Sequence, residues 1–141
     1  MDELYSLGFL LNRASVSLAK SMNASLIDNN IDLPHSQFIV LRCLYYKDGL
    51  SQLEIANLLS KDAAAIKRTV DLLEKKGLVV RNRIRALKNA VCISDKGRQL
   101  IPEAMKLGES LSDEALNGID EQEQELLRVM LDKIYTNLDK R

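Results

Sequence analysis

Arginine occurs at every second position in one short stretch, at Arg81, Arg83 and Arg85. Side chains two positions apart lie on the same face of a β-strand, so a strand here would carry three like charges in a row. Those charges repel one another unless an anion lies beside them, and a DNA backbone or a narrow minor groove would supply it. Lys88 is predicted at the tip of the same hairpin. The alternative is an edge strand whose charges protect it from aggregation.

A helix predicted just before these arginines carries further basic residues. Ile66, Val70 and Leu73 share one face at 100° per residue, which marks that face as the buried one. The opposite face carries Ala64, Arg68, Asp71 and Lys75, with Lys67 at its margin. Ala64 and Ala65 keep the first turn slim, so the helix backbone can approach base edges. Arginine donates two hydrogen bonds to guanine, which makes Arg68 the strongest candidate for reading a base. The alternative is an ordinary solvated helix face.

The net charge of the chain is zero, but its distribution is uneven. Residues 61–98 contain eleven lysines and arginines against four acidic residues, a difference of +7, and the rest of the chain carries −7. Polyanion binding depends on the local basic footprint, and the acidic remainder would orient the molecule on DNA. The charge pattern is thus compatible with a nucleic-acid ligand.

Catalytic and metal-binding chemistry find little support. His35 is the only histidine and follows a proline at a predicted helix start, where a surface or capping role is more common than that of a base or ligand. The two cysteines, Cys43 and Cys92, are far apart in sequence, so they do not form a metal cluster with it. We predict no catalytic residue, no metal site and no cofactor. Cys43 is predicted to be buried, and Cys92 to point outward without a redox partner.

The cysteines and the short length of the apolar segments indicate the cellular compartment. Two distant cysteines and no visible secretory leader favour reduced thiols in a cytoplasm. No uncharged apolar run approaches the roughly 18 residues of a membrane span. The expected protein is cytoplasmic and makes no membrane contact.

Apolar periodicity and capping signals predict the elements that position these residues. A first helix is expected from Asp2 to about Asn29, and a second from Pro34 to about Lys47 with Phe38, Leu41, Leu44 and Tyr45 facing inward. Ser51 and Glu54 fit a capping box for a third helix through Leu59. A fourth helix is expected from Ala63 to Lys76, capped by Asp62, followed by β-strands at 78–84 and 90–93. A fifth helix is expected from Asp95 to about Asn117, bent at Pro102, and a sixth helix is capped by Asp120. Tyr45 and Tyr46 are expected in the core, with an effector pocket as the alternative.

A short helix, a tight turn, a helix with a basic outer face and a basic hairpin together predict a winged helix-turn-helix. The fold class is mainly α with a small β component. We predict an N-terminal dimerisation helix over residues 1–32, a winged helix-turn-helix DNA-binding domain over 33–98, and C-terminal dimerisation helices over 99–141.

Four segments resemble the multiple-antibiotic-resistance regulator (MarR) family of bacterial transcription factors. They are LPHSQFIVL (Leu33–Leu41), LSQLEIANLL (Leu50–Leu59), VDLLEKKGLV (Val70–Val79) and ISDKGR (Ile93–Arg98). The resemblance implies a homodimer built from the first, fifth and sixth helices, with recognition helices in successive major grooves of an inverted-repeat operator. It also implies that a small ligand often relieves repression.

The chain departs from the family pattern in two places. Ala64 and Ala65 replace the usual serine or threonine early in the recognition helix. Arg85 and Leu87 stand where the family has Asp-x-Arg in the wing. We therefore expect a dimeric, sequence-specific DNA-binding regulator, most simply a repressor relieved by a ligand. The alternative is a protein-interaction module that keeps the fold without binding DNA.

Overall fold

The computed structural model describes residues 3–84 and 88–139, and of residues 83, 84, 88 and 89 it describes the backbone only. In these residues six α-helices flank one β-hairpin in the order expected. They are α1 (Leu7–Asp28), α2 (His35–Tyr46), α3 (Gln52–Leu59), α4 (Ala63–Lys75), β1 (Val79–Ile84), β2 (Lys88–Ile93), α5 (Asp95–Ala115) and α6 (Glu121–Leu138). The prediction of a mainly helical winged helix-turn-helix is confirmed.

Side-chain caps explain where several helices begin. The Ser51 hydroxyl and the Glu54 carboxylate form the expected capping box, and Asp120 forms a second one with Glu123. Helix α1 begins at Leu7, later than predicted, because the Ser6 hydroxyl accepts a hydrogen bond from the Phe9 amide. Asp62 does precede α4, but its side chain makes no capping hydrogen bond, so that part of the prediction is wrong.

The main core lies between α2, α4 and the hairpin. Its largest fully buried side chains are Leu26, Leu33, Leu41, Leu44, Ile55, Leu73, Leu78, Ile101, Val40, Val70, Val79 and Val91. Phe38 is buried as predicted, whereas Tyr45 and Tyr46 are exposed and stack edge to face on each other. Core positions for these two tyrosines were therefore a wrong prediction.

The hairpin is held against the body at several points besides its own ladder. Strands β1 and β2 pair antiparallel, and Leu50 adds an isolated bridge to Val91. The Asp48 carboxylate accepts a hydrogen bond from the Ile93 amide at 2.8 Å. Gly97 in the first turn of α5 packs so closely on Leu78, the residue before β1, that a Cβ there would collide with the Leu78 carbonyl oxygen. These contacts fix the base of the wing relative to α2 and α5.

Helices α1 and α6 leave much apolar surface uncovered, whereas the large apolar side chains of α5 are buried or half-buried. The N-terminal part of α1 exposes its side chains, while Met22 and Leu26 near its end are buried where α1 meets α5 and α2. Helix α6 has no buried residue. Its exposed apolar side chains are Leu126, Leu127, Met130, Leu131, Tyr135 and Leu138. None of the described helices is long and apolar enough to cross a bilayer.

Candidate nucleic-acid interface

Helices α3 and α4 form a compact helix-turn-helix. Ser60 takes the left-handed conformation at φ 51°, and the Lys61 amide donates to the Ala56 carbonyl oxygen at 2.9 Å, which closes the turn. The inner face of α4 is buried as predicted, with Ile66 3% exposed and Val70 and Leu73 fully buried. Because that face is locked in the core, the opposite face of α4 points to solvent.

The outer face of α4 presents the residues that the sequence assigned to it. Ala64, Lys67, Arg68 and Lys75 are exposed, and Ala65 is half-buried. In the described part of the chain, neither the Arg68 guanidinium nor the Lys75 ammonium makes a hydrogen bond or an ion pair. Both charges are therefore free for a ligand. Leu72, which the sequence analysis did not single out, is 47% exposed beside them.

Lys67 and Asp71 form an ion pair along α4. The Lys67 Nζ lies 3.0 Å from Asp71 Oδ2, one helical turn away. Hydrogen bonds from Lys67 and then from Arg81 hold the pKa of the Asp71 carboxyl below its usual value. Asp71 is therefore ionised at neutral pH and ties the helix to the wing.

Arg81 finds its anions inside the protein. Its guanidinium lies 2.6 Å from Asp71 Oδ1 and 2.7 Å from Glu74 Oε1, both on α4, and donates to Gln52 Oε1 on α3 at 2.6 Å. Val79, on the same face of β1, is buried, whereas Val80 on the other face is 43% exposed. The start of the arginine face thus packs on α4, and Arg81 clamps the wing to the helix-turn-helix. Sequence spacing alone gave no sign of this clamp, since the partners of Arg81 lie on two other elements, α3 and α4.

The other wing residues are placed only in part. Arg83 pairs with Asn89, and Lys88 opens β2 opposite Ile84, two residues before the predicted strand start. Their side chains, and all of Arg85, lie outside the described residues. The structure therefore places Arg83 and Lys88 on paired strands and leaves their DNA contacts as a prediction.

The basic segment is partly neutralised from within. Besides Lys67 and Arg81, Arg98 pairs with Asp48 at 3.1 Å. Lys76 Nζ lies 3.2 Å from Asp32 Oδ1 and donates to Gln37 Oε1 at 2.7 Å. Among the described side chains of residues 61–98, the basic groups without a hydrogen bond or ion pair are Lys61, Arg68 and Lys75.

A cavity of about 300 Å³ lies between α2 and α5, behind the helix-turn-helix. Its lining combines aromatic, apolar and charged groups, among them Phe38, Arg42, Tyr46, Met105, Glu109 and Asp113. The cavity is lined by side chains from both α2 and α5. A ligand here would contact both.

His35 and the cysteines do not form a reactive centre. The half-buried His35 imidazole has a pKa below its ordinary value because burial and then the nearby Lys61 charge disfavour its cationic form. Cys43 is only half-buried, so it is less buried than predicted. This burial raises the pKa of its thiol. Cys92 is also half-buried, and both thiols are free. Among the described residues, no group of three or more histidines, cysteines and acids is arranged to hold a metal.

Comparisons with known proteins agree with this geometry. Residues 33–85 match the sequence model of the MarR family. The uncharacterized HTH-type transcriptional regulator YdgJ of Bacillus subtilis (strain 168) is 29% identical over 113 residues, which span 76% of this chain and 66% of that protein.

Two solved structures extend the likeness over nearly the whole chain. A probable transcriptional regulator from Pseudomonas aeruginosa is 30% identical with a TM-score of 0.78, covering 92% of this chain and 97% of that one. A MarR family regulator from Listeria monocytogenes, solved with a 26mer DNA, has a TM-score of 0.87 at 24% identity over 94% of this chain and 89% of that one, and shows the shared fold. Together with the helix-turn-helix and wing, these matches establish that the chain belongs to the MarR family of DNA-binding transcriptional regulators, which are not enzymes.

Proposed function

We propose that two copies of the chain bind an inverted-repeat operator and repress transcription until a small ligand releases them. The single observation that carries this proposal is the outer face of α4, where Arg68 is exposed and unpaired on a helix whose inner face is fixed in the core. A rigid helix that presents a free guanidinium can enter a major groove and read a guanine.

Dimerisation is supported by the apolar side chains that α1 and α6 leave in solvent. Leu126, Met130 and Leu138 on α6 are each 46–57% exposed, and Leu7 and Leu18 on α1 are 47% and 44% exposed. Apolar surface on this scale is typical of an interaction site and not of a monomer. We therefore assign residues 1–32 and 99–141 to the interface between two copies, and residues 33–98 to DNA binding.

Two-fold symmetry sets the form of the operator. A dimer presents two copies of α4 to one face of the duplex, so the half-sites lie about one helical turn, near 10 bp, apart. Arg68 reads a base in each half-site, and Lys75 meets a phosphate. The slim first turn at Ala64 and Ala65 permits close approach. In the wing, Arg83, Arg85 and Lys88 contact phosphate or the minor groove, while Lys67 and Arg81 act through Asp71 on the position of helix and wing.

The cavity between α2 and α5 is the site we assign to an effector. Its volume of about 300 Å³ lies at the lower end for small-molecule sites, and its mixed lining suits a compact, partly polar ligand. A ligand that holds α2 and α5 in an altered arrangement would shift the two copies of α4 away from their operator spacing.

DNA binding is tested by selecting duplexes from a random pool and measuring affinity over a salt series. We expect an enriched inverted repeat, and we expect Arg68→Ala to cost about 1–3 kcal/mol per contact while relaxing preference at one base pair. The control variant Lys47→Ala removes an exposed lysine at the end of α2, outside α4 and the wing. Sedimentation should give about twice 15.9 kDa. Failure to enrich any duplex above background would favour the interaction-module alternative.

A further inference from the structure

The outer face of α4 has very few groups left to hydrogen-bond with bases. Lys67 and Asp71 are paired with each other, and Glu74 is held by Arg81. Thr69, the only hydroxyl residue of α4, donates to the Ala65 carbonyl oxygen at 3.1 Å. Lys75 lies in the last turn of the helix, away from its N-terminal half. Among the described side chains in the N-terminal half of α4 itself, Arg68 therefore remains as the one free donor.

The same face offers methyl groups where it lacks donors. Ala64 is exposed and Ala65 half-exposed, in the turn that precedes Arg68. Leu72, 47% exposed and two turns beyond Ala65, extends this apolar strip along the helix. An apolar strip that approaches base edges leaves a cytosine amine without a partner, but it packs well on the 5-methyl group of thymine.

We propose that Ala64 and Ala65 recognise the 5-methyl groups of thymines that neighbour the guanine read by Arg68. Ala64 and Arg68 are four residues apart on one face, which is about 6 Å along the helix. Base pairs rise by about 3.4 Å, so the thymines lie within roughly two base pairs of the guanine. This inference rests on the proposed function, because it names the bases that the same helix prefers.

The decisive measurement replaces thymine by deoxyuridine, which removes the 5-methyl group and keeps every hydrogen-bonding edge. The probe is the best duplex from the selection, with each thymine of the half-site replaced in turn and symmetrically. At the contacted positions we expect affinity to fall roughly three- to fivefold per methyl group, as burial of one such group predicts, and roughly tenfold or more when both half-sites are changed. Thymines elsewhere in the duplex should tolerate the change.

Variants of α4 assign the effect to individual residues. With Ala64→Gly, the penalty for deoxyuridine at the position it contacts should vanish, since the methyl group then has no partner; Ala65→Gly should act on its own thymine. The matched control is Ala63→Gly, which weakens the same turn of α4 but lies about 100° around the helix axis from Ala64. Its deoxyuridine penalty should equal that of the unchanged protein. This coupling separates contact from a loss of helix stability, which affects all duplexes alike.

The outcomes separate this inference from the proposed function. If a duplex is enriched and every thymine tolerates deoxyuridine in the unchanged protein, methyl recognition is refuted while DNA binding stands. If the penalty persists undiminished in both glycine variants, the methyl groups are read by other residues and the assignment to Ala64 and Ala65 is refuted. If no duplex is enriched at all, both proposals fail together. The deoxyuridine series on the unchanged protein needs no variant to fold.

Discussion

Replacing Arg81 by methionine tests whether this residue is a clamp of the wing or a contact to DNA. The substitution keeps an unbranched side chain and removes the guanidinium that joins β1 to α3 and α4. Three acceptors lose their donor, Asp71 at 2.6 Å, Glu74 at 2.7 Å and Gln52 at 2.6 Å. The Arg81 side chain is only 21% exposed, so it is shielded from solvent.

The expected loss of unfolding free energy in Arg81→Met lies between two limits. Hydrogen bonds to charged groups contribute about 1.5–3 kcal/mol where they are shielded. Ion pairs in solvent contribute about 0–1 kcal/mol, and the two carboxylates of the clamp are each 45% exposed. We therefore expect Arg81→Met to lower the free energy of unfolding by about 1–2 kcal/mol, which shifts the urea midpoint by roughly 0.5–1 M.

DNA binding should suffer along with stability, for a reason that a second substitution can reveal. Without Arg81, Glu74 loses its cation and Asp71 keeps only Lys67, so the outer face of α4 becomes more negative and repels phosphate. Affinity for all duplexes should fall, and adding Asp71→Asn to Arg81→Met should recover part of it. Arg98→Met is the control, because the Arg98–Asp48 pair is more exposed and lies outside the clamp.

The pH dependence of this effect has a definite sign. Hydrogen bonds from Lys67 and then Arg81 keep the pKa of Asp71 below its ordinary 3.8, so the folded state binds its proton more weakly than the unfolded state. The stabilisation is therefore complete above pH 3.8 and is lost as the pH falls through the lower value of the folded state. The measured difference between the unchanged protein and Arg81→Met should shrink over that acidic range.

A different result would refute the clamp. If Arg81→Met leaves the urea midpoint unchanged and lowers the slope of log affinity against log salt by about one per protomer, Arg81 is a phosphate contact. In that case Asp71→Asn would not restore affinity.

Five further substitutions, in three sets, probe other parts of the fold. Gly97→Ala should lower the free energy of unfolding by about 1–3 kcal/mol because its Cβ meets backbone, whereas Gly8→Ala, with nothing within 4 Å, should raise it by about 0.5–1 kcal/mol in urea unfolding. Because burial and then Lys61 lower the pKa of His35, the unchanged protein should lose thermal stability as the pH falls below 6.5. The stability of His35→Gln should not change over this pH range, and an equally steep decline in this variant would contradict the reasoning. Lys76→Met leaves the buried Gln37 amide oxygen without its donor and should lower the free energy of unfolding by about 1–3 kcal/mol. The control Lys75→Met changes an exposed neighbouring residue and should lower it by about 0.5 kcal/mol or less.

Features of the fold that depend on near neighbours in sequence could be predicted. The Ser51 capping box follows from side chains and backbone within a few residues. The buried face of α4 follows from helical periodicity, and so does its exposed face with Arg68. These features involve no distant partner, so the sequence was sufficient for them.

Contacts between residues that are farther apart in the sequence were not predicted. The arginine row was interpreted as a surface in need of an external anion, but Arg81 meets carboxylates seven and ten positions earlier in the chain. Asp48 anchors β2 from 45 positions away, which no local pattern signals. Tyr45 follows the periodicity of an inward face yet is exposed, although the adjacent Leu44 is fully buried. Periodicity gives the direction of a side chain and not the extent of the layer it would face.

The internal pairing of the basic segment also bears on how such a protein finds one site in a genome. Each free lysine or arginine strengthens attachment to any stretch of DNA, so a chain that presented every basic residue of 61–98 would spend most of its time on wrong sequences. Here Lys67, Lys76, Arg81 and Arg98 are held by acids of the same chain. We therefore expect random DNA to hold the protein only briefly, which would leave a larger share of its copies to occupy the proposed operator.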